Sequence, residues 1–214
     1  METGGADPDS IIERVTGARD PGLRSSHIMF ARERGDHDLN EPGMRPLGEL
    51  KQAAVLVPLV LRPEGITILL TQRTSHLTNH PGQISFPGGR LEDVDTGPED
   101  AALRETEEEV GLPPDRVRIV GRLDTYIVRT AYAVTPVVGL VTPPFPITPD
   151  PYEVAAVFEV PLAFILDPRN HQRHTREHNG RTRWFYAMPY GQHFIWGATA
   201  GMLMNLYEVL RGDE

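Results

Sequence analysis

Cysteine is absent from the 214 residues of this chain. The absence excludes disulfide bonds, thiolate nucleophiles and metal sites that depend on thiolate ligands. Any metal ion would have to be bound by oxygen or imidazole ligands. Such a donor set favours hard cations.

Long apolar runs are also absent. No segment approaches the ~20 apolar residues that a membrane-spanning helix needs. The first ten residues, METGGADPDS, have neither a basic start nor an apolar stretch, so they do not resemble a secretory signal. We therefore expect a soluble, cytoplasmic protein without a membrane partner.

Basic residues are in the minority. Lysine and arginine number 21 against 30 aspartate and glutamate residues, which gives a formal net charge of -9. Nucleic acids are bound by clustered lysine and arginine side chains, so a nucleic-acid partner is not expected. A small anionic substrate would need divalent cations, held by carboxylates, to neutralise its charge.

The length favours one α/β or α+β domain with a tail. Residues 1–48 are rich in Gly, Asp, Arg and Pro. They contain one expected helix, around 10–19, and we assign them to a partly flexible N-terminal extension. The compact domain is placed at 49–214. It begins with two β-rich runs, AAVLVPLVL and ITILLTQR, and the turn residues between them predict a β-hairpin.

Helices and strands alternate after the hairpin. The expected elements are a helix at 98–110, strands at 117–123, 133–141 and 154–160, a short helix in LAFILD, a strand in TRWFYAM and a closing helix at 196–210. Strands followed by a helix and by more strands predict a mixed α+β core.

Three further segments have more than one interpretation. The Pro-rich segment 143–151 cannot continue a strand ladder, and it is either a substrate-facing loop or a rigid surface loop. The histidines of HQRHTREHNGR (His171, His174 and His178) invite a metal site, but the Asn-Gly favours a hairpin-like surface loop. The aromatic run Trp184, Phe185 and Tyr186 either stacks against an adenine or, as is more typical, belongs to the core.

The segment GPEDAALRETEEEVGL has helix-start and helix-stop signals at its two ends. Pro98 suits the first helical position, acidic residues occupy the first turn, and Gly111 suits a left-handed C-terminal cap. Glu105, Glu108 and Glu109 cluster on one side of this helix. Their like charges repel, so a cation such as Mg²⁺ or Mn²⁺ is expected beside them; the alternative is an ordinary solvated glutamate face.

The residues Arg104-Glu105, Glu108-Glu109 and Gly111-Leu112, preceded by a glycine-rich turn, resemble the signature of the Nudix hydrolases. This resemblance implies a Nudix fold, in which a mixed β-sheet lies between α-helices. It also implies a pyrophosphohydrolase in which a metal-activated water attacks phosphorus. The loop before the helix is one residue longer than in the family pattern, so Asp95 or Glu92 takes the place of the first glutamate.

The same resemblance implies roles for individual residues. Glu105 and Glu109 would be the primary metal ligands, Glu108 a further ligand or the base, and the Gly89 carbonyl an additional oxygen ligand. Arg104 would orient the glutamates. Glu153 either adds an acidic side chain to the site, as Nudix proteins often do at a similar position, or is a charge at a strand edge.

The run LLTQRTSHLTNHPGQISFPGG, residues 69–89, resembles a second signature, found in the coenzyme A diphosphatase branch of the family. Two residues differ from that pattern: Thr74 replaces a serine, and Thr78 replaces an arginine. Arg73 is the expected phosphate contact, unless it pairs with a structural carboxylate. Gln83 and Phe86 are expected to line the substrate loop, although Phe86 also fits a core position.

The two signatures together predict metal-dependent hydrolysis of the pyrophosphate bond of coenzyme A or its derivatives. The products would be adenosine 3′,5′-bisphosphate and 4′-phosphopantetheine. One alternative is the same reaction on ADP-ribose, NADH or a nucleoside triphosphate. Another is a Nudix-fold module that senses a nucleotide without hydrolysing it, although binding alone does not need three clustered glutamates. Both a monomer and a homodimer are compatible with the sequence.

Overall fold

The structure, a computed structural model, describes residues 7–17, 33–40, 46, 48–178 and 180–211. The helices are α1 (Pro8–Gly17), α2 (Pro98–Val110), α3 (Leu162–Leu166) and α4 (Ala198–Arg211). The strands are β1 (Arg34–Gly35), β2 (Lys51–Arg62), β3 (Gly65–Arg73), β4 (Ile84–Ser85), β5 (Gly88–Arg90), β6 (Val117–Arg122), β7 (Tyr126–Val128), β8 (Tyr132–Val141), β9 (Val154–Pro161), β10 (Gln172–His178), β11 (Arg181–Tyr190) and β12 (His193–Trp196).

Strand β2 lies at the centre of the main sheet. It pairs in parallel with β8, from Lys51↔Tyr132 to Val60↔Val141, and antiparallel with β3 and β5. Strand β6 also pairs with β8, and β9 with β3. Because β2 is covered on both faces, its sequence is a nearly continuous apolar run rather than an alternating one. The sheet is therefore mixed, as predicted.

Helices cover both faces of this sheet. Helix α2 packs on one face, where Leu56 and Leu69 meet Ala101 and Val110. Helices α1 and α4 pack on the other face through apolar side chains that include Ile11, Val15, Leu203 and Leu206. The predicted α+β fold, with a mixed sheet between helices, is confirmed. None of the described helices is long and apolar enough to cross a membrane.

Most of the predicted elements are present. Strands β2 and β3 form the predicted hairpin, in which Arg62 pairs with Gly65, and α2 has the predicted bounds. The closing helix was placed too early, because Trp196 belongs to β12 and the helix begins at Ala198. Gly197, with φ +64°, separates the two elements in a conformation that glycine adopts without steric cost.

The histidine segment and the aromatic run form one hairpin. Strands β10 and β11 pair antiparallel up to His178↔Arg181, and β12 completes a second, three-stranded sheet. The predicted hairpin is confirmed, but its first arm is a strand rather than a loop. The expectation of a core position is wrong for Trp184, because 47% of this residue is exposed.

The described part of the N-terminal region packs against the main sheet. The expected helix at 10–19 is observed as α1 (Pro8–Gly17), and residues 18 and 19 lie outside the described residues. Ile11 and Val15 are buried, and the Arg14 guanidinium donates to the Leu210 carbonyl of α4. These contacts attach α1 to the face of the sheet opposite α2.

Candidate active site

Helix α2 is fixed at its C-terminal end by the Pro-rich segment. Gly111 ends the helix with φ +69°, in the left-handed conformation that was predicted. The Thr148 amide donates to the Val110 carbonyl at 2.8 Å, and the Asp150 amide donates to the Glu109 carbonyl at 2.9 Å. Since carbonyls in the last turn lack partners within a helix, this segment stabilises the turn that carries Glu109.

Glu105 and Glu109 lie one helical turn apart and face the backbone of β5. The Gly88 amide donates to Glu109 Oε2 at 3.2 Å. A Cβ atom at Gly89 would overlap the Glu105 carboxylate, so only glycine permits this close approach. Two carboxylates therefore lie against a Gly-Gly segment of the sheet.

Both carboxylates are partly or fully removed from water. Glu109 is 6% exposed, and this burial raises its pKa to about 7, with further contributions from Glu153 and Glu105. The Gly88 amide and Arg73 oppose this shift. Burial also raises the pKa of Glu105, against the stabilising charge of Arg104. Desolvated carboxylates with raised pKa values are typical of functional sites.

Arg73 connects Glu109 to Glu153. Its Nη1 lies 3.5 Å from Glu109 Oε1, and its Nη2 lies 3.4 Å from Glu153 Oε2. Glu153 is held by its backbone, because its amide donates to Asp150 and its carbonyl accepts from Thr74. The carboxylates that pair with Arg73 are thus two of the predicted site residues.

Glu108 does not join this group. Its side chain is 61% exposed and contacts Arg104 at 3.3 Å. Among the residues that the structure describes, no three histidine, aspartate or glutamate side chains lie close enough to hold a metal ion. The expectation that all three glutamates converge is therefore wrong. Residues 108 and 109 differ by ~100° around the helix, so both cannot face the same strand.

Arg104 is the centre of a charged network around the helix. It donates to both carboxylate oxygens of Asp95, to Glu105 at 3.0 Å, and to the Arg90 carbonyl at 3.2 Å. Arg104 lowers the pKa of Asp95. Of the two candidates for the missing glutamate, Asp95 contacts Arg104, whereas the Glu92 amide donates to Asp95 at 2.8 Å.

The expected substrate residues have different surroundings. The Gln83 carbonyl accepts from the Arg73 amide, and its side chain contacts His80 Nδ1 at 2.8 Å. Phe86 is 2% exposed within the core, so its assignment to the substrate is wrong and the core alternative is correct. Thr74 donates to the Tyr152 carbonyl at 2.7 Å, which ties the substrate loop to the turn before β9.

His171, which precedes β10, and His174, which lies within it, have partners away from the carboxylates. His171 Nε2 lies 2.7 Å from the Ile165 carbonyl, and its ring meets Tyr207 edge-on. His174 Nε2 lies 2.8 Å from Gln172 Oε1.

The sequence did not reveal the backbone contacts of the Pro-rich segment. The sequence did contain a signal for them: Thr148 and Asp150 flank Pro149 and, unlike proline, have a main-chain N–H that can donate a hydrogen bond.

Comparison with known proteins places the chain in a family. The NUDIX domain model matches residues 50–186, which is more than half of the chain. The chain belongs to the Nudix hydrolase family. It is therefore a pyrophosphohydrolase, an enzyme that acts on phosphorus anhydrides.

Particular relatives are similar over most of the chain. The protein named Uncharacterized Nudix hydrolase NudL from Escherichia coli O7:K1 is 45% identical over 156 residues, which cover 73% of this chain and 81% of that protein. Its counterpart from strain K12 is 44% identical over the same shares.

Among solved structures, the MutT protein from Methanosarcina mazei Go1 is 20% identical, covers 56% of this chain and 83% of that chain, and has a TM-score of 0.45. The Nudix hydrolase RenU from M. smegmatis is 25% identical, covers 54% of this chain and 73% of that chain, and has a TM-score of 0.43.

Proposed function

We propose that this chain hydrolyses the pyrophosphate bond of coenzyme A or its derivatives, giving adenosine 3′,5′-bisphosphate and a 4′-phosphopantetheine product. One observation supports this substrate above the others. Arg73, within the run that resembles the coenzyme A diphosphatase signature, contacts Glu109, within the run that resembles the Nudix signature. The two signatures therefore meet in a single site.

The donor groups of the site fit Mg²⁺ or Mn²⁺. Glu105 and Glu109 offer oxygen ligands, and burial raises the pKa of both, so a cation would stabilise their ionised forms. The proposed ligands are Glu105, Glu109 and the Gly89 carbonyl, and Glu108 keeps only its other predicted role, that of the base. When bound, such an ion neutralises charge on the pyrophosphate and lowers the pKa of water.

Protein side chains supply positioning and proton transfer. Nη1 of Arg104 donates hydrogen bonds to the carboxylates of Glu105 and Glu108. The planar guanidinium of Arg73, which lies 3.5 Å from Glu109, would donate to a phosphate oxygen if Glu109 were a ligand of the ion. Glu108 and Glu153 keep the most exposed side chains of the group, at 61% and 43%, so they are the candidates to accept a proton from water.

A comparison of substrates tests the proposal. Hydrolysis of coenzyme A, dephospho-coenzyme A, ADP-ribose, NADH and deoxynucleoside triphosphates would be measured with Mg²⁺ and with Mn²⁺. We expect the highest kcat/KM for coenzyme A. If ADP-ribose is cleaved at an enzyme concentration that leaves both forms of coenzyme A intact, the substrate assignment is wrong. The assignment to the Nudix family would not change.

A second experiment separates catalysis from nucleotide sensing. Glu109→Gln removes the charge but keeps the size of the side chain, so it should abolish turnover while the circular dichroism spectrum stays unchanged. A chelator should also abolish activity, and Mg²⁺ or Mn²⁺ should restore it. Turnover that survives Glu109→Gln would contradict the metal assignment.

A further inference from the structure

One face of the three-stranded sheet carries side chains that the proposed chemistry does not use. Strand pairing places His174 opposite Phe185, Arg176 opposite Arg183, and Phe194 opposite Pro189. Because side chains alternate between the two faces, these residues project to one side together. We call this side the aromatic–arginine face, formed by His174, Arg176, Arg183, Phe185, Phe194 and Trp196.

The aromatic part of this face is continuous. The His174 ring centroid lies 5.9 Å from that of Phe185 and 5.7 Å from that of Phe194. Phe185 in turn meets Trp196 at 5.3 Å. Phe194 is 44% exposed, so part of this aromatic surface is open to a planar ligand.

Among the residues that the structure describes, no carboxylate pairs with the two arginines of this face. Arg176 and Arg183 are directly opposite each other on neighbouring strands, where like charges are destabilising. Neither side chain has a hydrogen bond or an ion pair with a described residue, and the Nε atom of Arg183 is buried without a partner among them. A buried donor without a partner is costly, so this pair favours an anionic ligand.

This face borders the active-site loop. A groove of about 350 Å³ lies between residues 81–84 and β12, and Gln83, Phe194 and Trp196 are among its lining residues. The Gln83 carbonyl accepts a hydrogen bond from the Arg73 amide at 2.9 Å. The groove therefore lies between the loop that hydrogen-bonds to Arg73 and two aromatic residues of the aromatic–arginine face.

We propose that the aromatic–arginine face binds the 3′-phosphorylated nucleoside end of the substrate. Arg176 and Arg183 would donate to the phosphomonoester, and the exposed Phe194 ring would contact the base. This inference rests on the proposed function, because coenzyme A carries such a group. It also accounts for the exposed Thr78, since arginines from the second sheet would replace the guanidinium that this position lacks.

Coenzyme A and dephospho-coenzyme A differ only in the 3′-phosphate, so they form the first test. Arg183→Gln should lower kcat/KM for coenzyme A by roughly tenfold to a hundredfold, mainly through KM, because a charged hydrogen bond is lost. The value for dephospho-coenzyme A should change by less than about twofold. Arg176→Gln, on the neighbouring strand, should give the same pattern if the first variant fails to fold.

Arg173→Gln is the matched control. Arg173 lies on the same strand as Arg176 but on the opposite face, over the Tyr186 ring. It should leave both substrates unaffected. Equal losses for the two substrates in Arg183→Gln would overturn the proposal. A change of oligomeric state without a change in discrimination would also overturn it and would indicate a second copy of the chain on this face.

A binding experiment separates this inference from the proposed function. Adenosine 3′,5′-bisphosphate and AMP would be titrated into the metal-free protein by calorimetry. We expect tighter binding of the bisphosphate, and Arg183→Gln should remove the difference. If the protein hydrolyses neither form of coenzyme A, the proposed function fails, but this comparison still decides the subsite. Equal affinity of the unaltered protein for both ligands would overturn the subsite.

Discussion

Asp95 and Arg104 form a two-point ion pair, in which Nε and Nη2 of Arg104 each lie 3.0 Å from a different Asp95 oxygen. The Asp95 side chain is 2% exposed, whereas that of Glu108 is 61% exposed. With two of its nitrogens held by Asp95, Arg104 directs Nη1 to Glu105 and Glu108. The position of Asp95 therefore controls the position of Glu105 through Arg104.

Asp95→Asn tests this positioning role. The change removes the charge but keeps the size of the side chain, so Arg104 should lose part of its orientation. We expect kcat/KM to fall about 10- to 100-fold, the usual range for a residue that orients a metal ligand. The apparent Mg²⁺ affinity should fall in parallel. Asp93→Asn, in the same loop and exposed, is the control; equal effects of both changes would contradict the role.

Gly89→Ala tests the close approach of Glu105 to β5. The added methyl group would overlap the Glu105 carboxylate, so this carboxylate must move. We expect a loss of activity that is much larger than the loss of stability, measured by steady-state kinetics and by thermal unfolding. Gly97→Ala is a suitable control, because its backbone is extended and the new atom would only reach ordinary contact, 3.6 Å from Glu99.

The pKa of Glu109 predicts how stability depends on pH without metal. Burial raises this pKa from 4.5 to about 7. Between these values the folded protein retains a proton that the unfolded chain releases. The free energy of unfolding should therefore decrease as pH rises through this window, by about 3 kcal/mol in total. Urea unfolding in a chelator at several pH values measures this decrease.

Two comparisons check this prediction. Glu109→Gln cannot titrate, so the decrease should be smaller in this variant. In the unaltered protein, the apparent affinity for Mg²⁺ should fall about tenfold per pH unit below pH 7, because the ion must displace a proton. A metal affinity that does not change between pH 5 and pH 8 would show that Glu109 is already ionised over this range.

Ile11→Ala tests whether the N-terminal region contributes to the domain. Ile11 is completely buried against the α4 side of the sheet. Removing its side chain should lower the free energy of unfolding by roughly 2–5 kcal/mol. Ile12→Ala is a comparison at a partly buried position and should cost less. An unchanged free energy of unfolding for Ile11→Ala would contradict a contribution of α1 to the stability of the domain.

The sequence predicted the elements whose signals are local. Helix α2 begins at Pro98, is capped by Gly111 and has glutamates at helical spacing. All three signals lie within the segment itself. The β2–β3 hairpin is similar, because its turn residues lie between two apolar runs. Such signals do not depend on how distant segments pack.

Other features depended on contacts across the chain. The choice between Asp95 and Glu92 required the position of Arg104, which the loop length alone does not give. Phe86 follows a strand of two residues, which is too short for an alternating pattern to show which side chains are buried. Trp196 fits the helical spacing of α4, and only its pairing with Ala187 shows that it belongs to a strand.

The contact between the Pro-rich segment 143–151 and helix α2 limits which residues the segment can contain. Its hydrogen bonds to the last turn of α2 come from the main-chain amides of Thr148 and Asp150, and a side chain does not donate in either bond. Both residues lie beside Pro149, and a proline at either position would remove the amide donor. Sequence variation in this segment is therefore limited by a main-chain requirement: most residue types preserve the contact with the Glu109 turn at positions 148 and 150, but proline does not.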